Sequence, residues 1–120
     1  MTLDDTCRNA ACDAVVDLFD NGFIDFQTAA HVNLAQCNFG ATAFGAAAAG
    51  IATANAIADD TDAAAGTVDH AHMTVSGPTE RITLTVTAPA GGGDIELSSL
   101  ALGAGDTVSV TSLTVSCPAS

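Results

Sequence analysis

The chain has no lysine, no tryptophan and no tyrosine, and its only long basic side chains are Arg8 and Arg81. Fourteen acids stand against those two cations, twelve of them Asp, for a formal net charge of −12. Such a surface repels phosphate backbones and anionic bilayers, so neither nucleic acid nor membrane is expected as a partner. The missing lysine excludes a P-loop, although Gly91-Gly92-Gly93 follows a strand-like segment. No run approaches eighteen strongly apolar residues; 43–58 comes closest, and it is Ala, Gly and Thr. The N-terminus carries no basic n-region and no apolar h-region, so no secretory leader is read there.

Catalytic patterns are missing as well. There is no G-x-S-x-G, and His31, His70 and His72 have no recognisable nucleophile partner. Glu80 and Glu96 are too isolated to argue a glycosidase pair. The expectation is a protein that is not an enzyme, with no catalytic, cofactor or metal residues assigned. The four cysteines, Cys7, Cys12, Cys37 and Cys117, form no CxxC and no zinc-finger spacing. Cys7 and Cys12 are five apart and fall on different faces of a helix. Cys37 and Cys117 can meet across strands, but four cysteines allow three pairings, and buried free thiols are the default.

What is present is small and aliphatic. Hydrophobic residues make up 48 % of 120 positions, with Ala dominant and five Phe, which suits a thin single-domain core between two layers. An Asp-rich, Lys-free surface fits a high-salt host, and a GC-rich genome produces the same bias. Residues 3–20 read as an amphipathic helix with Thr2 as N-cap. Its apolar stripe is Leu3, Cys7, Ala10, Ala11, Ala14, Val15 and Leu18, opposite Arg8, Asn9, Asp13, Asp17 and Asp20. Asn21-Gly22 supplies the stop.

From residue 23 to 116 the pattern is β. Strands are expected at 23–28, 32–39 (apolar on both faces, hence buried on both or bulged), 50–57, 67–76, 81–88, 94–102 and 107–116. The alternation is clearest at Ile82, Leu84, Val86 and Ala88. Phase changes predict a bulge or corner near Ser98-Ser99, and 89–93 reads as a flexible glycine-rich tip. Gly45 and Gly50 bound an Ala-rich stretch with Phe39 and Phe44 as anchors, leading into a strand whose face is Ala52, Ala54 and Ala56. The fold class is therefore mainly β: an antiparallel β-sandwich or jelly-roll-like single domain, 1–120, with one N-terminal α-helix.

Two clusters invite a cation. His70 and His72 share one strand face beside Asp69, a spacing that can present two imidazoles to a metal; the local sequence lacks a third ligand, though His31 or a loop Asp can be brought in by the fold. The same pair, set among carboxylates, can sense pH at an interface. Asp59-Asp60-Thr61-Asp62 offers alternating oxygens for calcium but lacks the EF-hand pattern. In both places the default is a solvated surface.

Three blocks resemble a family of small virion structural proteins of tailed viruses. They are Arg8–Gly22, the stretch Ala43-Phe44-Gly45-Ala46-Ala47-Ala48-Ala49-Gly50-Ile51-Ala52-Thr53-Ala54-Asn55-Ala56-Ile57, and Asp94–Leu97 with Gly105–Val115. The resemblance implies a phage or haloarchaeal-virus capsid decoration or cement protein, a homo-oligomer contacting the major capsid protein or neighbouring virion proteins. Where the family has an aromatic-rich strand, this chain has Val68-Asp69-His70-Ala71-His72-Met73, and no contact residues are carried over. A tail or head–tail junction component is the alternative. A carbohydrate-binding β-sandwich module is a second one, set against the absence of Trp and Tyr platforms.

Overall fold

The computed structural model describes residues 1–118. The chain runs α1 (Asp5–Asp17), β1 (Phe23–Gln27), β2 (Asn33–Asn38), β3 (Ile51–Thr53), β4 (Gly66–Thr67), β5 (His70–Val75), β6 (Thr79–Thr87), β7 (Ile95–Glu96), β8 (Ala101–Leu102) and β9 (Thr114–Ser116). Five strands form one sheet in the order β2-β1-β5-β6-β7, antiparallel except for the β6–β7 pair. Two ribbons, β3–β9 and β4–β8, belong to the second layer, and α1 packs against β3 and β9. The architecture is the expected mainly β, sandwich-like domain with one N-terminal helix.

Strand alternation sorts the large sheet into two faces. Rows of partners place Cys37, Ile24 and Met73 side by side, and Ala35, Phe26, Ala71 and Leu84 likewise. All seven are buried and make the inner face. Ile95 of β7 extends the core at the sheet's edge, Leu97, Val108, Val110, Leu113 and Ala52 complete it, and the Cys37 thiol lies 3.5 Å from the Val108 carbonyl across the layers. Phe39 anchors the Ala-rich stretch as expected, with its ring 5.5 Å from Phe44 and 6.4 Å from Phe19. The bulge foreseen in 32–39 is present: the register slips between Phe26 and Gln27, so Leu34 turns inward and packs against Gly66.

The helix is shorter than 3–20 and shows a different face. Asp4, not Thr2, is the N-cap: its carboxylate accepts from the Cys7 amide at 2.9 Å. Leu18 ends the helix and points outward at 59 % exposure, while Phe19 turns in. The buried face is Cys12, Val16 and half-buried Val15, flanked by half-buried Arg8, Asn9 and Asp13. Cys7, Ala10, Ala11 and Ala14, expected inside, are exposed. The reason lies in the Ala-rich stretch, which has backbone N–H groups to satisfy and almost no side-chain acceptors of its own. Asn9 accepts from Gly50 N at 2.8 Å, Asp13 from Ala47 N at 2.7 Å and Asp20 from Ala43 N at 2.8 Å. Gly50 itself sits at φ +77° with the Arg8 guanidinium lying where a Cβ would project, so a side chain there strains the backbone and displaces Arg8.

Several expected strands shrink to fragments. Of 50–57 only Ile51–Thr53 pairs continuously; Ala52 is fully buried, Ala54 half-buried and Ala56 exposed. The expected 67–76 is two pieces, with His70–Val75 as the sheet strand, and 94–102 is broken at Ser98-Ser99 where the corner was expected. The expected 107–116 pairs only at Val108 and over Thr114–Ser116. The tip at 89–93 is clamped: Glu96 accepts from Ala90 N and Gly92 N, and Thr87 Oγ1 accepts from Gly93 N.

Candidate metal centre

The outer face of the large sheet is polar, and the same strand pairing builds it. His70 sits between Gln27 and Thr85, and His72 between Asp25 and Thr83. The period of two puts both imidazoles on this face while Ala71 and Met73 fill the core. The turn after β1 then delivers the third. Thr28 N donates to the Val32 carbonyl, His31 N to the Thr28 carbonyl and Val32 N to Thr28 Oγ1. This closes the turn with His31 at φ +64°, a left-handed conformation that a non-glycine residue adopts at some cost.

The three rings meet. His31 lies 4.9 Å from His70, edge to face, and 6.5 Å from His72, nearly parallel; His70 and His72 are 4.9 Å apart and perpendicular. One nitrogen from each ring falls within 4.8 Å of the other two. Among the described residues this is the one group of three His, Cys, Asp or Glu side chains that converges so closely.

Oxygen atoms surround the cluster. His70 Nδ1 is 2.9 Å from Asp69 Oδ2 and its Nε2 is 3.2 Å from Gln27 Oε1. The Gln27 amide nitrogen is committed to Asn33 and Glu80, which fixes its oxygen toward His70. His72 Nδ1 is 3.3 Å from Thr83 Oγ1 and its Nε2 is 3.5 Å from Glu80 Oε2. Asp25, 7 % exposed, lies on the neighbouring strand; burial first and then the Glu80 charge push its carboxyl up, against a smaller opposing effect of His72. The centre thus combines converging nitrogen donors with a shell of acceptors and carboxylates that favours a positive charge.

No known protein family, no curated protein and no solved structure matches the chain. The other sites weighed from sequence come apart. Asp60 is spent on structure, accepting from Gln36 N and Asp62 N, each at 2.8 Å, and no carboxylate trio of the 59–62 loop converges. All four cysteines are free; Cys37 is buried beneath Val108, and Cys117 lies beside Cys12 on α1 and not beside Cys37. Two shallow clefts, of about 300 and 540 Å³, are lined mainly by serines, threonines and acids around Ser98 and Ser109, with no imidazole or thiol in either. Gln27, Thr83 and the strained conformation of His31 went unnoticed in the sequence. The β alternation of 23–28 carried the only signal for Gln27, and nothing local signalled the turn.

Proposed function

We propose that the chain is a structural protein of a tailed-virus virion, attached to the outer surface of the capsid through protein–protein contacts, as a homo-oligomer. The observation that carries this reading is the outward face of α1. Cys7, Ala10, Ala11, Ala14 and Leu18 form a second apolar stripe that faces solvent, opposite the buried Cys12 and Val16, while Asn9 and Asp13 face the protein. The inward acceptors account for the rotation of the helix within the domain, and the small-residue stripe left outside allows close approach of a second backbone. The net charge of −12 favours a less acidic occupant, the capsid subunit, and repels the packaged genome. A second feature supports assembly. β7 covers β6 only at Val86 and Thr87, so the outer edge of β6 over 79–83 has no strand partner among the described residues. The sequence resemblance to virion structural proteins points the same way.

Virion reconstruction tests the proposal. Density for this chain at repeated positions on the capsid exterior is the expected result; a single ring on the tail axis, or absence from purified particles, overturns it. Ala14→Glu and Leu18→Glu, both at exposed positions, are expected to leave the fold intact and abolish attachment to capsids. Undiminished attachment would remove the helix stripe from the interface.

A further inference from the structure

We propose that His31, His70 and His72 bind one first-row divalent transition-metal ion of the zinc, copper, nickel and cobalt class. The inference is independent of the virion reading, since it rests on one face of the sheet and not on α1. Three imidazole nitrogens within 4.8 Å need to close to about 3.3 Å to bind one tetrahedral ion at ordinary zinc–nitrogen distances. Rotation of the exposed His31 ring, which no described hydrogen bond holds, together with a turn of His70 Nε2 away from Gln27 Oε1, would bring the nitrogens to that distance. Nitrogen donors select this class of ion over calcium and magnesium, which take oxygen ligands.

The surroundings have the features of a metal site's outer ring. Asp69 holds His70 Nδ1, the carboxylate–histidine arrangement that fixes ring orientation and strengthens the other nitrogen as a ligand. On binding, His70 Nε2 turns from Gln27 Oε1 to the ion. Thr83 Oγ1 takes the corresponding place on His72 Nδ1, which leaves Nε2 on the side of Glu80. Glu80, 3.5 Å from His72 Nε2, is placed to offer a carboxylate for the fourth position, and exposure of His31 leaves that position reachable by water. The strain at His31 then has a purpose: the left-handed turn is what carries its ring back over the sheet. Bound metal pins the 28–32 turn to β5.

Calorimetric titration of the tag-free, chelator-dialysed protein with Zn²⁺ decides the matter. One Zn²⁺ per chain is expected, with a thermal midpoint that rises with Zn²⁺ and not with Mg²⁺, and with Co²⁺ giving the visible absorption of nitrogen ligation. His70→Ala and His72→Ala are each expected to weaken Zn²⁺ binding by about 100-fold or more, and Asp69→Asn by about 10- to 100-fold. His31→Asn, a residue that tolerates the same left-handed turn, is expected to weaken it by at least about 10-fold without altering the fold. Asp60→Asn, in the acidic loop, serves as the control and leaves affinity unchanged. Absence of Zn²⁺ binding, or affinity in the three histidine variants equal to that of the unsubstituted protein, overturns the site; the second result assigns the ion to scattered carboxylates.

Discussion

Thr74 is 1 % exposed and its hydroxyl finds no hydrogen-bond partner among the described residues. It sits where the β5–β6 register slips between Met73 and Thr74, a local irregularity of the ladder. A buried, unpaired hydroxyl costs free energy, and an isosteric methyl does not. Thr74→Val is therefore expected to stabilise the protein by about 1 kcal/mol in denaturant titration; a loss of stability would mean that the hydroxyl is engaged. Cys37 is a second residue whose burial is measurable. Burial pushes its thiol from 9.0 up to about 11, and burial raises Cys12 in the same direction. Above pH 9.0 the unfolded thiol loses its proton while the folded one keeps it, so stability falls as pH rises toward about 11. With no lysine and no tyrosine in the chain, the window belongs mainly to the thiols. Cys37→Ala is expected to lower stability at neutral pH and to remove an alkaline loss on the order of 2 kcal/mol. An unchanged alkaline slope in that variant would show that Cys37 is not the group responsible.

At the scale of elements, α1 acts as a rack of acceptors for a stretch that has none. Asp13→Ala leaves the half-buried Ala47 N–H unpaired and is expected to cost about 1–3 kcal/mol. Asp13→Asn, which keeps an acceptor oxygen, should lose less, and Ala14→Ser on the exposed face should be near neutral. Denaturation midpoints of the three variants check this, and equal losses for Ala and Asn would show that the charge matters rather than the acceptor. This role is also where sequence reasoning went astray. The rule that the apolar stripe of a helix faces the core failed because the demand of Gly50, Ala47 and Ala43 for acceptors outweighed the burial of a few alanine methyls. Alternation was legible wherever strands are long and one face is buried, as at Ile82, Leu84 and Val86. Short ribbons such as β3–β9 and β4–β8 were not, because two or three residues carry no period. His70 and His72 could be paired on one face by counting. His31 could only be named as a possible third, since its arrival depends on one left-handed residue in a turn.

For the molecule as a whole, twelve uncompensated negative charges are spread over a body of 47 × 29 × 23 Å. The Debye length is about 30 Å at 0.01 M salt, about 10 Å at 0.1 M and about 3 Å at 1 M. At the lowest of these, charges across the two shorter dimensions still repel one another; at the highest, only near neighbours do. Among the described residues the one ion pair between a guanidinium and a carboxylate, Arg8 with Asp5 at 3.2 Å, is largely exposed at its acidic end and offsets little of this. The thermal midpoint should therefore rise by about 4 °C or more between 0.01 and 1 M sodium chloride, the response of a small domain to roughly 1 kcal/mol. The shape of the curve identifies the cause. Screening is nearly complete once the Debye length falls below the spacing of surface charges, so most of the gain should come early in the range and then level off. Salting-out of apolar surface would instead grow steadily at high concentration and be stronger with sulfate than with chloride. A midpoint flat between 0.01 and 0.1 M, with all the gain above it, would show that self-repulsion does not limit the stability of this fold.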